Sequence, residues 1–417
     1  MAGSRGLQRF LHLSFVALSM LALALGMALV SPALAADPVK VGFSMSLSGP
    51  GGPAGKQVLV SLEIWRDDVN AKGGLLGRKV ELIRGDATNP QQAIASVEQL
   101  ATRDKVDLFS GTYMSPVSAA ASDEAQRYNR LYWETIATAQ ELTDRGLPNF
   151  VRTGPNATSY ALESVSAVKD LIAPAFNKNP RDLKIWIEHE DLNFGTSIAQ
   201  TLEQLLEKDG VKPIGIGAHS FKAIDLNDTV LRIKQAQPDI LVEIGYVPDG
   251  NLLLNTLKNQ GYKIPAIMYV VTGDAPETLN IVGAKDLEGL LVVSYPRTNI
   301  PSSYSPGGAE YLAAYRAKYK EEPIATLGMS AFAGMQMLFD AIRAAGTTDV
   351  DKVREAAAKM DKPFQSYPGG YGVKFDDKFQ NTRALPVVVQ WQSGDTVTVY
   401  PKNAVSPGTT LRNLPSN

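Results

Sequence analysis

Two hydroxyl side chains lying just beyond strand-like runs are the first candidates for chemistry. Thr138 belongs to the stretch 131–143, which opens with β-branched and aromatic residues and then turns small and hydroxyl-rich before Asp144-Arg145-Gly146. That order reads as a buried strand feeding a loop. The loop would present the backbone N–H groups of Ile136 to Ala139 and the Thr138 hydroxyl to a cleft, because ligands of open parallel sheets bind beyond the carboxyl ends of strands. Ser115 follows a second run, 106–110, and precedes Pro116, which suits a first helical position, so Ser115 is the expected N-cap. Capping is one reading of this serine. The other is anion binding, since the free N–H groups and dipole at a helix start attract a carboxylate.

Other chemistries find little support. Beyond residue 35 the histidines are His189 and His219, cysteine is absent, and no G-x-S-x-G elbow occurs, so a nucleophilic triad and a multi-histidine metal centre are poorly supported. The acidic run Glu188-His189-Glu190-Asp191 has metal-ligating residue types, but a solvated loop is the expected reading. A glycine-rich segment at 46–53 lacks both G-x-G-x-x-G and G-x-x-x-x-G-K-[ST], which leaves it as a flexible loop at the rim of a cleft and not a nucleotide cradle.

The first 35 residues read as a signal peptide. Arg5 and Arg9 supply a positive start, 10–30 is apolar, and Ser31-Pro32-Ala33-Leu34-Ala35 ends in a small-x-small cleavage pattern. An uncleaved anchor is the alternative, which the Pro32 break disfavours. Cleavage lowers Lys+Arg from 41 to 39 against 43 acidic residues, a formal net charge of −4, so neither nucleic acid nor an anionic membrane surface is an expected partner. Without cysteine there is neither a disulfide nor a thiol to carry a lipid at the cleavage site.

The elements that must position Ser115 and Thr138 alternate in type. Strands are expected at 39–45, 79–86, 106–110 and from 131, with helices at 56–71, 90–103 and 117–129 between them. After Gly146, Pro148 and Pro155 the rhythm restarts: strands at 183–188, 213–217, 240–244, 264–270 and 290–294, with helices at 195–209, 226–235 and 250–260. Tyr295-Pro296 marks a return crossover to helices at 308–320, 325–345 and 350–360, and the tail ends in a hairpin turning at Ser393-Gly394-Asp395. The pattern predicts an α/β protein of two doubly wound parallel-sheet lobes, joined by three crossovers, with a ligand cleft between them. The expected division is 36–152 plus 297–385 for one lobe, 153–296 plus 386–402 for the other, and a tail at 403–417.

Several stretches together resemble the type I periplasmic binding proteins of ABC importers, in their leucine/isoleucine/valine-binding branch. They are Val41-Gly42-Phe43 with Ser48-Gly49-Pro50, the run Asn70-Ala71-Lys72-Gly73-Gly74-Leu75-Leu76-Gly77-Arg78-Lys79-Val80, the loop from Ala137 to Thr143, and Arg152-Thr153. The resemblance covers nearly the whole mature chain. It implies that Ser115 and Thr138 hold a ligand carboxylate, with Tyr113, Met114 and Ile136 beside them, and that Phe194 and Tyr246 form the opposite wall. It further implies a periplasmic protein without cofactor or metal, expected to be a monomer, that closes on its ligand and delivers it to an inner-membrane ABC permease.

Two positions depart from the family pattern. Where an acidic partner for an amino acid's ammonium is expected, this chain has Val270-Val271-Thr272, with Asp274 a few residues late. A buried ammonium without a carboxylate is costly, so a ligand lacking that group is favoured, and Tyr113, Trp133, Phe194 and Tyr246 would suit an aromatic or apolar carboxylic acid. Glu134 stands where relatives carry a small hydroxyl residue, and it either meets the ligand or faces a helix. A branched-chain or aromatic amino acid remains open as ligand, a soluble sensory relay remains open as role, and an exported hydrolase is the alternative from another class.

Overall fold

The computed structural model describes residues 37–323 and 327–414. The expected signal peptide at 1–35 and the first two residues of the helix expected at 325–345 fall outside that range. From Val39 onward the chain forms two large sheets. The first contains β1 (Val39–Met45), β2 (Val80–Asp86), β3 (Leu108–Ser110), β4 (Tyr132–Glu134) and β5 (Phe150–Arg152), all parallel, in the order β2-β1-β3-β4-β5. The second contains β6 (Ile185–Glu190), β7 (Gly215–His219), β8 (Ile240–Ile244), β9 (Ala266–Val270) and β10 (Leu291–Ser294). A two-residue antiparallel pair, β11 (Asp361–Lys362) and β12 (Val373–Lys374), precedes β13 (Val387–Gln392) and β14 (Asp395–Tyr400), which complete the second sheet in the order β14-β13-β10-β9-β8-β6-β7. Only β13 runs against the others there, pairing antiparallel with both β10 and β14. Their two-residue turn puts Ser393 and Gly394 at φ of 55° and 83°, the mirror-image turn that matches strand twist.

Strands covered on both faces by helices read as continuous apolar runs, and that is what made them legible. Every residue of β8 is buried, as is every residue of β1 except Lys40. The helix Asn193–Lys208 buries Phe194, Ile198, Leu202 and Leu206, one stripe at a spacing of four. Asn89 and Asn156 cap their helices by accepting the N–H of Gln92 and Ser159. In both sheets the strand order reverses beside the first strand, between β1 and β3 and between β6 and β8. Loops leaving those strands therefore flank a crevice, which is where open α/β sheets bind ligands.

Four expectations shift. The run from Glu188 is not a solvated loop: Glu188 to Glu190 end β6, with both glutamates fully buried, because the strand continues past the apolar residues that mark it. The strand expected at 213–217 is Gly215–His219, so His219 ends a strand. The helix after β3 begins at Ser115 itself, with Met114 extended before it, so Ser115 is not its N-cap and no side chain caps that helix. Trp133 does not face the crevice: it is fully buried, its indole N–H donates to the Gly334 carbonyl at 2.9 Å, and its ring meets Phe375 edge-on at 6.0 Å. With the side chains of β4 alternating across the sheet, Trp133 fills the core toward the helix Leu327–Ala345. Trp133→Ala should accordingly lower the unfolding free energy by about 3–5 kcal/mol in denaturant titrations, the usual cost of emptying a packed tryptophan site.

Candidate functional site

The loop after β4 is built around the Glu134 carboxylate, which folds back on its own backbone. Its Oε1 accepts the N–H groups of Thr135, Ile136 and Ala137 at 2.9, 2.9 and 3.0 Å. Its Oε2 accepts from the Thr112 N–H at 3.3 Å and from the Ser118 hydroxyl. Glycine at 111 is required for this, because a Cβ there would lie 2.4 Å from the carboxylate. Burial holds the Glu134 carboxyl above its usual value, a rise that the donors from Ser118, Ile136, Ala137 and Thr112 only partly offset. The carbonyl side of the same loop is held by Arg152, which donates to Ala137 O at 3.2 Å, Ala139 O at 2.7 Å, Thr143 Oγ1 at 3.2 Å and Gln380 Oε1 at 2.5 Å. Burial lowers the Arg152 guanidinium to about 10, so it remains charged at neutral pH.

This clamp corrects the expectation that Ile136 to Ala139 offer backbone N–H groups to a ligand. Ile136 and Ala137 give theirs to Glu134, and Ala139 gives its own to Ser115 Oγ at 3.2 Å. What the wall retains is hydroxyl chemistry. Ser115 accepts from Ala139, which leaves its own proton to donate, and Thr138 Oγ1 is buried with no hydrogen-bond partner.

The opposite wall comes from the second sheet. Glu190 at the end of β6 accepts the N–H of Leu192 and of Gly195 at 2.6 and 2.5 Å, which fixes Phe194 in the first turn of its helix. Tyr246 follows β8 and starts the helix Val247–Asn259, and Asp249 accepts its N–H at 3.2 Å. Its ring packs against Phe194 at 4.8 Å, Phe221 at 5.1 Å and Tyr113 of the first wall at 5.8 Å. Its hydroxyl is buried near the Ser115 N–H without a hydrogen bond of normal length, and burial beside Glu190 holds it far above its ordinary pKa.

These groups meet around a narrow inner chamber of about 10 Å³. Six expected residues line it: Tyr113, Ser115, Ile136, Thr138, Phe194 and Tyr246. Val271, Thr272 and Tyr295 complete the lining, so none of its nine residues is acidic. Tyr295 donates its hydroxyl to the Ile136 carbonyl at 2.7 Å, tying the return crossover to the loop. An outer chamber of about 210 Å³ shares Tyr113, Tyr246, Val271 and Thr272, and it is where Met114, Phe221, Asp274 and Glu277 lie. Asp274 accepts from Ser294 Oγ at 2.7 Å and stands 3.9 Å from Arg297. Trp133 lines neither chamber. Phe221 was not singled out in the sequence, although it follows the end of β7 and that position was the available signal. Across the two walls, the Gln140 N–H donates to Ser197 Oγ at 2.9 Å and Asn193 donates to Glu141.

A family model described as periplasmic binding protein matches residues 38–396. Leu/Ile/Val-binding protein homolog 7 of Brucella suis biovar 1 (strain 1330) is 33% identical over 386 residues, covering 92% of this chain and 97% of that protein. Homolog 8 of the same organism is 34% identical over 383 residues, covering 91% and 95%. Among solved structures, the branched-chain amino acid transporter substrate binding protein LivJ of Streptococcus pneumoniae in complex with isoleucine superposes with a TM-score of 0.74 at 20% identity, over 88% of this chain and 100% of that one. A solute binding protein of an ABC transporter from Rhodopseudomonas palustris BisB5, in complex with 3,4-dihydroxybenzoic acid, gives 0.71 at 20% identity, over 90% and 100%. At those identities the structures establish likeness of fold.

The clamp makes its own prediction. Glu134→Gln turns an amide NH2 toward donors that need an acceptor, so stability should fall by about 1–3 kcal/mol in chemical unfolding.

Proposed function

This chain belongs to the periplasmic binding protein family, and from that premise we propose that it captures an aromatic or apolar carboxylic acid without an ammonium group and hands it to an inner-membrane ABC permease. The observation that carries the ligand class is the inner chamber. It joins the partnerless hydroxyl of Thr138 and the buried hydroxyl of Tyr246 to the free Ser115 proton, and it contains no acidic side chain. Hydroxyl donors at the start of the helix Ser115–Arg127 suit a carboxylate, which gains charge-assisted hydrogen bonds there. The rings of Phe194, Tyr246 and Tyr113 suit a flat apolar body. An ammonium in the same chamber would be buried without a counter-charge. A branched-chain or aromatic amino acid is the second reading, favoured by Asp274 in the outer chamber and requiring the ammonium to reach it.

In this reading the lobes comprise 36–152 plus 297–385 and 153–296 plus 386–402, the protein is a periplasmic monomer with no catalytic role, and the ligand is held by both walls at once. None of the helices among the described residues is long and apolar enough to cross a membrane, which accords with a permease supplied by another chain. Closure needs both walls, so a saturating ligand should compact the protein in solution scattering, and an unchanged radius of gyration would count against two-walled capture.

Calorimetry with benzoic and phenylalkanoic acids against leucine, isoleucine, valine and phenylalanine tests the ligand class. The best carboxylic acid should bind wild type, and Ser115→Ala and Thr138→Ala should each weaken it by about 1.5–3 kcal/mol, roughly ten- to a hundredfold. Tyr246→Ala should instead reorder the ligands, because it removes ring area and leaves both hydroxyls in place. Unchanged affinity in both alanine variants, or tighter binding of the amino acids than of any acid in the panel, overturns the proposal.

A further inference from the structure

Behind the Tyr246 wall, the second sheet buries three carboxyl groups against a single basic side chain. Glu188 of β6 and Glu243 of β8 stand side by side in register on adjacent parallel strands, both fully buried, with Asp249 and His219 packed against them. Like charges paired across strands repel. Among the described residues no lysine or arginine forms an ion pair with these three carboxylates, and His219 is their one basic partner.

The hydrogen bonds divide the four residues into two roles. Glu188 is saturated, since its Oε2 accepts the Trp186 indole N–H at 3.0 Å and its Oε1 meets His219 Nδ1 at 3.2 Å. That is how a metal-ligating histidine is usually oriented, with one ring nitrogen held by a carboxylate and the other turned to the ion. Nε2 points the other way, 3.2 Å from Asp249 Oδ2. Both oxygens of Glu243 and the Oδ1 of Asp249 are buried without any hydrogen-bond partner. One donor atom from each of His219, Glu243 and Asp249 lies within 4.8 Å of the others. Gly245 keeps the space between them open: a Cβ there would lie 2.4 Å from the Glu243 carboxylate and 2.3 Å from that of Asp249.

We propose that His219, Glu243 and Asp249 form a buried binding site for a divalent transition-metal ion, with Glu188 orienting the histidine. One imidazole and two carboxylates favour Zn2+ or Mn2+ over Ca2+ or Mg2+, which take oxygen donors. Neighbouring ligands of a tetrahedral Zn2+ with bonds near 2.1 Å stand about 3.4 Å apart, close to the 3.2 Å between Nε2 and Oδ2. The ion would neutralise the paired carboxylates and brace Asp249, which holds the Tyr246 N–H, from behind the ligand chamber. The site is independent of which ligand that chamber takes.

The test uses the full chain purified without chelator, its metal content measured by mass spectrometry, and then chelator-treated protein titrated with Zn2+ and Mn2+ in thermal unfolding and calorimetry. Wild type should bind about one equivalent and melt at a higher temperature with it. Glu243→Gln should abolish both effects. Glu188→Gln, which leaves every ligand in place, should weaken binding roughly ten- to a hundredfold, and it keeps the test decisive if Glu243→Gln does not fold. Wild type that neither binds nor is stabilised by either ion, or variants that bind as tightly as wild type, would overturn the site and leave protons on the carboxylates as the balancing charge.

Discussion

The crevice depends on a buried pair of opposite charges that never touch directly, the Glu134 carboxylate and the Arg152 guanidinium, each gripping one side of the same short loop. Taking either ion out of water costs several kcal/mol, and the cost is offset because Glu134 collects four backbone or hydroxyl donors beyond its own residue's neighbour and Arg152 reaches four oxygens. The loop cannot flex without stripping one of these ions of its partners. Ser115, Thr138 and Ile136 are therefore presented on a rigid edge although they lie outside regular strands.

Such rigidity has a chemical consequence. Because the N–H groups of Thr135, Ile136 and Ala137 are spent on Glu134 and that of Ala139 on Ser115, the first wall turns side-chain hydroxyls and a helix start toward the crevice, and not a backbone nest. Hydroxyls can turn to follow a ligand, while amides cannot. The second wall is different in kind. Phe194, Phe221 and Tyr246 give area and shape, and an apolar wall discriminates only weakly between ligands of similar size. The inner chamber omits a carboxylate that could receive an ammonium.

Both walls use the same device to aim their side chains. Glu134, Glu190 and Asp249 are each buried at the carboxyl end of a strand or the start of a helix, and each accepts N–H groups from the segment that carries a chamber residue. A buried carboxylate under each loop is an expensive way to fix backbone, and it explains why acidic residues cluster behind a chamber whose own lining has none.

Much of the architecture was legible in the sequence, because strands buried on both faces must be apolar throughout and the helices between them must carry one apolar stripe. Thus 39–45 and 240–244 were read to the residue, and the loops carrying Ser115 and Thr138 could be named as cleft candidates from the strand pattern. Thr138 and Ser115 were legible because strand ends in such sheets face the crevice, whereas Phe194 and Tyr246 were named through the family resemblance. What the sequence could not determine was direction. Trp133 and Glu134 are neighbours on one strand, so pleating sends one into the core and the other toward the loop, and only the packed sheet decided which. Ser115 reads as a cap from Pro116 alone, yet a helix start one residue earlier turned its hydroxyl to Ala139. The placing of Phe221 in the aromatic wall, of Val271 and Thr272 where an acid was expected, and of three buried carboxylates around His219 all join residues far apart in the chain. Such contacts follow from strand order and register, which are settled by burial over the whole sheet and leave no mark in any local stretch.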